Sequence, residues 1–145
     1  MADIKRLVQE GTDAYNQKKI GVLDGLYQAD AELIIPGREP VRGRAAVTAF
    51  WEEEFKSFPD GKVKIVTEVI SGSTAVSEWE WNGTNTGPLR LPTGDMSPAT
   101  GKKASAQGVD IAEFEGGLIK SHRFYYDSLS LVTQLGLVPA MEASS

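Results

Sequence analysis

The segment that decides the fold is LIKSHRFYYDSLSLVTQLG, residues 118–136 of a 145-residue chain. Its first half mixes apolar and aromatic residues with polar ones, which predicts a strand that ends at Asp127. Its second half predicts a helix that Asp127 caps and Gly136 stops. The buried face of that helix is predicted to be Leu129, Val132 and Leu135. The segment therefore predicts a long strand followed by a helix that covers it.

Three further strands are predicted before this segment. They are KVKIVTEVI at 62–70, TAVSEWEWNGTNTG at 74–87 and KKASAQGVDIAEF at 102–114. Short turns join most of the four strands, which predicts an antiparallel meander. The connection from Pro88 to Gly101 is longer and rich in Pro, Gly and Ser, and loops of this kind often form a lid or rim over a site.

Helical patterns dominate the first sixty residues. Apolar residues from Ile4 to Tyr15 share one helical face, a short second helix is predicted over Val22–Tyr27, and a brief strand follows at Glu32–Ile35. A third helix opens at Gly43 and carries an aromatic stripe. Glu52, Glu53 and Glu54 beside that stripe are predicted to form its solvated face. Helices that precede antiparallel strands predict an α+β fold in which helices cover one face of a strongly curved sheet around a pocket.

Composition limits the partners and the chemistry. A net charge of −5 with scattered Lys and Arg argues against nucleic acid or an anionic membrane surface as a partner. The chain has no Cys and a single His, His122, so thiolate catalysis and the usual zinc ligand sets are excluded, and neither a metal nor a cofactor is expected. No stretch approaches the roughly 20 apolar residues of a membrane span. We expect one domain over residues 1–145, located in the cytoplasm.

Three stretches together resemble the SnoaL-like polyketide cyclases of the nuclear transport factor 2-like superfamily. They are GTNTGPL at 83–89, PATGKK at 98–103 and LIKSHRFYYDSLSLVTQLGLVP at 118–139. Gly117, Ile119, Asp127 and the Gln-Leu-Gly at 134–136 keep the register of the family's usual ending. The resemblance covers nearly the whole chain. It implies a cone-shaped fold around a mostly apolar pocket, and a homodimer formed through the outer sheet face, where Phe124 and Tyr126 are expected.

The resemblance implies several reactions, because the superfamily includes aldol cyclases, ketosteroid isomerases, epoxide hydrolases and proteins that only bind. Many relatives carry His at the third position of the GTxTG stretch, where this chain has Asn85. Cyclases of the family use an Asp and a His on the last two long strands. The residues here that could correspond are Asp110, His122 and Asp127.

Side-chain alternation predicts which residues face the pocket on the last strand. If Ile119 faces the core, period two brings Arg123 and Tyr125 inside and leaves His122 outside, as a surface or interface residue. On the preceding strand, Phe114 is the expected core residue, and the same alternation turns Asp110 inward. An inward Asp110 is either a base whose pKa the apolar cavity raises, or the structural partner of Arg123, which would lower that pKa.

The strand at 74–86 has two possible orientations. One turns Trp79, Trp81 and Asn85 inward and makes an aromatic pocket with a hydrogen-bonding group. The other turns Glu78 and Glu80 inward and makes a paired-carboxylate site. We favour the first because burying two unpaired carboxylates is costly. Two helical aromatics, Tyr15 and Trp51, pack on the sheet as core residues or as walls of the cavity.

These features predict a pocket for a small, largely apolar, polyketide-, steroid- or terpenoid-like molecule, and a cofactor-free acid–base enzyme of aldol-cyclase or isomerase type. Asp110 is the predicted base, and Tyr125 or Arg123 is the predicted donor to the enolate oxygen. Asp127 is the reserve base, or only a helix cap. One alternative is an epoxide hydrolase-like enzyme, with Glu78 or Glu80 as the second acid if the tryptophan strand is inverted. The other is a non-catalytic ligand-binding or dimerisation domain.

Overall fold

The structure is a computed structural model that describes residues 3–138. Residues 1–2 and 139–145 of the predicted domain, including the last residue of the third family-like stretch, lie outside the described part. The helices in that part are α1 (Ile4–Gln17), α2 (Ile20–Asp24), α3 (Arg44–Ser57) and α4 (Ser128–Gln134). The strands are β1 (Tyr27–Ile34), β2 (Val41–Arg42), β3 (Lys62–Ser71), β4 (Thr74–Thr84), β5 (Leu89–Arg90), β6 (Met96–Ser97), β7 (Lys103–Glu115) and β8 (Leu118–Tyr126).

Six of the strands form one sheet in the order β2-β1-β8-β7-β4-β3. The four long strands β3, β4, β7 and β8 pair antiparallel, as the short turns between β3 and β4 and between β7 and β8 predict. The expectation of a wholly antiparallel sheet is wrong at one place, because β1 runs parallel to β8. These two strands are far apart in the chain, so no tight turn imposes their relative direction.

The long connection after β4 contains a small hairpin of its own. Strands β5 and β6 pair antiparallel and form a separate two-stranded sheet. Ser57 at the end of α3 donates a 2.6 Å hydrogen bond to the carbonyl oxygen of Pro88, which holds this connection against the third helix. The predicted rim over the cavity is therefore a hairpin attached to α3.

Helix boundaries follow local capping groups. The Asp3 side chain accepts a 3.1 Å bond from the Arg6 amide at the start of α1, and α1 ends where Lys18 takes a left-handed φ of 57°. The predicted second helix is too long, because α2 ends at Asp24 and Tyr27 already begins β1. Gly25 follows α2 directly as its C-cap, so the buried Tyr27 belongs to the sheet.

The last helix differs from prediction in its buried face. Leu135 is 1% exposed, as expected, whereas Leu129 is 64% exposed. Residues four apart share a helical face, so Leu131 and Leu135 turn toward the sheet together and Leu129 turns away. Leu131 lies at the cavity wall.

The buried core consists of two clusters. The larger one joins α1, α2 and α3 to β1, β7 and β8 around Tyr27, Leu33 and Val47, and the smaller one surrounds Phe58 and Trp81. The Trp51 side chain packs against both clusters. The helices and the concave face of the sheet leave a cavity beside Trp51.

Candidate active site

A cavity of about 220 Å³ lies between the helices and the concave face of the sheet. Most of its wall is apolar. Its polar or titratable lining groups include Tyr15, Tyr27, Glu54, Asp110 and His122. A few polar groups in an apolar cavity are typical of a small-molecule site.

The tryptophan face of β4 forms one wall. Trp79 and Trp81 line the cavity, while Glu78 and Glu80 are exposed on the other face of the sheet. The predicted orientation of this strand is confirmed, and the inverted arrangement with a glutamate pair is wrong. Tyr15 and Trp51 also line the cavity, as one of the two readings for these aromatics predicted. Contact of the four aromatic residues with a ligand stays a prediction.

Two glycines provide space for the tryptophan rings. A Cβ at Gly108 would lie 2.5 Å from Cζ2 of Trp79 and 2.7 Å from the carbonyl oxygen of Tyr125. A Cβ at Gly83 would lie 2.8 Å from Cζ2 of Trp81. The tryptophan rings therefore lie close over strand positions that have no side chain, and a larger residue at either position would displace a ring from the cavity wall.

The orientation predicted for β8 is wrong beyond Ile119. Phe114 pairs with Ile119 and Glu113 pairs with Ser121, so Lys120 is an extra residue that forms a β-bulge. Because the bulge shifts the alternation by one residue, Ile119 and His122 both turn inward, and Phe124 and Tyr126 follow His122 into the cavity wall. The expected placement of Phe124 and Tyr126 on the outer sheet face is therefore also wrong.

The same bulge turns the two predicted donors outward. Arg123 forms a 2.7 Å ion pair with Glu113 and not with Asp110, and neither Arg123 nor Tyr125 lines the cavity. Tyr125 is 44% exposed. Neither residue is positioned to donate a hydrogen bond to a molecule in the cavity.

Two other predicted site residues have structural positions. Asp127 caps α4 by accepting a 2.9 Å bond from the Ser130 amide, and it lies outside the cavity wall. Asn85 is fully buried but is likewise absent from that wall. Its Oδ1 accepts bonds from the amide and hydroxyl of Thr100, and its Nδ2 donates to the carbonyl oxygens of Ser57 and Gly87. Asn85 follows the end of β4, so it ties the 85–101 connection to α3.

Asp110 faces inward as predicted and forms one end of a hydrogen-bonded chain. Its Oδ2 lies 2.7 Å from Nε2 of His122, and Nδ1 of His122 lies 2.8 Å from the Tyr27 hydroxyl oxygen. Trp51 donates from Nε1 to the same hydroxyl oxygen over 3.2 Å. Four side chains on α3, β1, β7 and β8 are thus joined across the inside of the cone.

The direction of each hydrogen bond in this chain follows from the protonation state of Tyr27. Burial raises the pKa of Tyr27 well above its ordinary value, so its O–H stays protonated and donates to Nδ1 of His122. Nε2 then carries the histidine proton and donates it to Oδ2 of Asp110. Oδ1 of Asp110 has no hydrogen-bond partner among residues 3–138 and is not sealed from solvent, so it is the oxygen available to a ligand.

A second polar group lies on the helical wall. Tyr15 donates a 3.0 Å bond to Oε1 of Glu54, and Trp81 donates a 2.8 Å bond from Nε1 to the Tyr15 oxygen. The expectation that Glu52, Glu53 and Glu54 all form a solvated face is wrong, because Glu53 and Glu54 line the cavity. Burial raises the pKa of Glu54 above its usual value.

Three charged residues lie where the cavity adjoins a second groove. Arg38, Arg90 and Glu53 line both the cavity and a groove beside the β5–β6 hairpin. Arg90 holds Glu53 through two bonds of 2.8 and 3.1 Å, in the fork geometry that arginine and carboxylate favour. The β5–β6 hairpin is therefore linked to α3 by the ion pair between Arg90 and Glu53.

Three site residues were placed wrongly by the local sequence patterns, although the family resemblance had named His122 as a candidate. Tyr27 was assigned to a helix, His122 was turned outward and Glu54 was placed in solvent. The apolar pattern of β8 carried one usable signal, because Phe124 and Tyr126 share the alternation of His122 and large aromatics favour the buried face. No comparable signal marked Glu54, since its position depends on how α3 packs against α1.

Within residues 3–138, the His, Asp and Glu side chains form no cluster of three or more that could hold a metal ion. Along the same part of the chain, no helix has the length and apolar character that crossing a bilayer requires.

Solved structures with the same fold include three close in shape. TsrD from Streptomyces laurentii is 27% identical, with 93% of this chain and 96% of that chain covered and a TM-score of 0.79. A candidate SnoaL-like polyketide cyclase from Jannaschia sp. CCS1 is 19% identical over 94% and 93%, with a TM-score of 0.82. AclR, a candidate hydroxylase from Streptomyces galilaeus, is 19% identical over 94% and 98%, with a TM-score of 0.80. A search of curated proteins finds no significant match.

The helices and the curved sheet around the cavity define an α+β domain with the fold of these solved structures. The family model described as SnoaL-like domain matches residues 8–122 of this sequence. The chain belongs to the SnoaL-like family.

Proposed function

We propose that this protein binds a small, largely apolar cyclic molecule and acts on it as a cofactor-free acid–base enzyme of aldol-cyclase or isomerase type. The observation that carries the proposal is the Asp110 carboxyl group at the cavity wall, whose Oδ2 is held by His122 at 2.7 Å while Oδ1 has no hydrogen-bond partner among residues 3–138. A carboxylate held at one oxygen and free at the other is suited to removing a proton from a bound molecule.

The size of the cavity narrows the substrate class. An apolar cavity of about 150 Å³ holds one benzene molecule. The volume of about 220 Å³ found here suits a compound of one or two rings, with any larger part extending through the open mouth. Among polyketide-, terpenoid- and steroid-like compounds, the smaller ones fit best.

The proposed chemistry is proton transfer at carbon. Oδ1 of Asp110 takes a proton from the carbon next to a carbonyl group, and the electron pair of the broken C–H bond forms an enolate. In a cyclase the enolate carbon then bonds to a second carbonyl carbon, the π electrons of that carbonyl move to its oxygen, and this oxygen takes the proton back from Asp110. In an isomerase Asp110 returns the proton to another carbon of the enolate. His122 acts as a positioning residue that holds the carboxylate, and Tyr27 maintains its tautomer.

Epoxide hydrolysis is the second candidate function. This reaction needs one carboxylate to activate water and one acid to protonate the epoxide oxygen. Asp110 and Glu54 both line the cavity, and this pair of carboxyl groups is the observation that favours the second candidate.

Exchange of carbon-bound hydrogen tests the proposal without a known substrate. In D₂O, the protein is expected to accelerate deuterium uptake at the methyl group of acetophenone, or at the equivalent carbon of other small cyclic ketones, as followed by NMR. Asp110→Asn keeps the shape but removes the base, so the rate should fall at least about a hundredfold. Asp127→Asn, outside the cavity, is the matched control. A wild-type rate equal to that of buffer, or an unchanged rate in Asp110→Asn, would overturn the proposal.

We also propose that the protein acts as a cytoplasmic homodimer that pairs through the outer sheet face. Val69, Val76 and Ile111 are direct neighbours across β3, β4 and β7 on that face, and Val69 is 56% exposed. Adjacent apolar side chains on an exposed sheet favour association. Sedimentation at micromolar concentration should give twice the monomer mass, and Val69→Lys should lower it. A monomeric wild type would count against the dimer, and cell fractionation tests the location.

A further inference from the structure

The carboxyl group of Glu54 has one oxygen that no protein group uses. Oε1 accepts the Tyr15 hydroxyl proton, and the Tyr15 oxygen in turn accepts from Trp81. Oε2 has no hydrogen-bond partner among residues 3–138 and is not sealed from solvent. Since Glu54 lines the cavity, Oε2 is accessible to a ligand.

Hydrogen counting identifies Glu54, and not Tyr15, as the group that can donate at this wall. A tyrosine hydroxyl has one proton, and Tyr15 gives that proton to Glu54. A carboxylic acid that accepts at one oxygen carries its own proton on the other. When Glu54 is neutral, its proton therefore lies on Oε2, where a molecule bound in the cavity can accept it.

The groups around Glu54 act on its charge in both directions. Burial is the largest influence and raises its pKa, and Glu53 raises it further. Tyr15, Lys18 and Arg38 lower it. The Lys18 ammonium is turned toward the backbone, where it donates to the carbonyl oxygens of Tyr15 and Gly61.

The remaining neighbours of Glu54 carry little charge. The Glu53 carboxylate is paired with Arg90, and the pKa of the Tyr126 phenol, on β8, is itself raised by burial, so that phenol stays neutral. Burial in an apolar wall thus favours the neutral acid.

We propose that Glu54 is the hydrogen-bond donor for the substrate, and that its Oε2–H donates to the carbonyl oxygen of the ligand while Asp110 acts on the neighbouring carbon. The inference rests on the proposed function and names the second group of the same site. In an enolate-forming reaction the negative charge develops on that oxygen, so a donor placed there stabilises the transition state more than the ground state. The substrate would be an uncharged molecule with an acceptor oxygen.

A pair of ligands of similar size tests the donor. In cumene a CH group that bears a second methyl replaces the carbonyl group of acetophenone, so cumene has no acceptor oxygen. Binding of each is measured by tryptophan fluorescence and calorimetry to the wild type, Glu54→Gln and Glu54→Leu. The Gln side chain keeps an N–H donor, whereas Leu has none. Acetophenone affinity should stay within about twofold in Glu54→Gln and fall about five- to tenfold in Glu54→Leu, and cumene should not weaken in either variant.

The pH profile separates a donating acid from an accepting carboxylate. In the wild type, acetophenone affinity should fall as pH rises through the pKa of Glu54, because the proton that binds the carbonyl oxygen is lost. In Glu54→Gln the affinity should be independent of pH over the same range, and cumene should show no comparable fall in either protein. A purely structural role of Glu54 would not produce a profile that depends on the ligand oxygen.

The outcomes distinguish this inference from the proposed function. The inference is overturned if the wild type does not prefer acetophenone over cumene, if Glu54→Leu keeps the preference, or if Glu54→Gln loses as much as Glu54→Leu. The Gln variant and the pH profile decide the matter even if Glu54→Leu folds poorly. Loss of the deuterium exchange reaction with an intact carbonyl preference would refute only the base role of Asp110.

Discussion

Replacing Tyr27 by Phe tests the hydrogen-bonded chain that holds Asp110. The change removes one oxygen, which serves as donor to His122 at 2.8 Å and as acceptor for Trp51 at 3.2 Å. Tyr27 is 1% exposed, so the aromatic ring of Phe fills nearly the same space and the loss is confined to the two bonds.

The expected cost follows from what the change leaves behind. His122 is 9% exposed, and a buried group left without its partner costs about 1–3 kcal/mol. Trp51 is only partly buried, so water can replace part of its lost bond, at a cost of about 0.5–1.5 kcal/mol. Together the two give a loss of about 1.5–4.5 kcal/mol in the free energy of unfolding.

Urea unfolding at neutral pH measures this loss. With a slope of about 2 kcal/mol per M urea, a loss of this size lowers the unfolding midpoint by about 1–2 M, without a change in slope. Tyr125→Phe is the matched control, because that hydroxyl belongs to a side chain that is 44% exposed, and the change should stay within about 0.5 kcal/mol. If Tyr27→Phe lost no more stability than Tyr125→Phe, the buried chain from Trp51 to Asp110 would not exist as described.

Two further predictions concern packing and pH. Gly108→Ala should lower the free energy of unfolding by about 1–3 kcal/mol and change the fluorescence of Trp79. The new Cβ would lie 2.5 Å from the Trp79 ring and 2.7 Å from the backbone oxygen of Tyr125, which cannot move freely. Gly21→Ala, with nothing within 4 Å of the new Cβ, should be neutral or slightly stabilising, and equal unfolding midpoints for the two variants would contradict this reasoning. Burial lowers the pKa of Lys18 from 10.5 to about 8. Between these two pH values the folded protein therefore binds fewer protons than the unfolded chain. The free energy of unfolding of the wild type should accordingly rise relative to that of Lys18→Met as pH increases from about 8 to 10.5. A stability difference between these proteins that does not change over that interval would show that Lys18 is not desolvated.

Alternation along regular strands was sufficient to orient two of the four long strands from sequence. Phe114 and Asp110 lie on one face of β7, and Trp79 and Trp81 lie on one face of β4, as period two predicts. The reason is physical: a strand that keeps its register has only two faces, and the cost of burying charge selects between them. The cap at Asp127 was equally local, because it depends on residues within one turn of α4.

Local patterns failed wherever a residue's position depends on a distant partner. The bulge at Lys120 comes from the pairing of β8 with β7 and moved His122 inside and Arg123 outside. Asn85 is buried, as predicted, but its side chain binds the backbone amide of Thr100 in the connection after β4. Nothing in the residues next to these positions reports such contacts.

By itself the sequence determined the helix-first α+β order, the tryptophan wall and the inward carboxylate of Asp110, because each depends on periodicity, capping or burial within one element. Tertiary structure alone decided that Tyr27, His122 and Glu54 complete the site. Tyr27 and His122 meet because β1 pairs parallel to β8, although they are 95 residues apart in the chain. Glu54 faces the cavity because Tyr15, on α1, holds its carboxyl group there. Such contacts follow from the packing of complete elements against one another, so no local pattern predicts them.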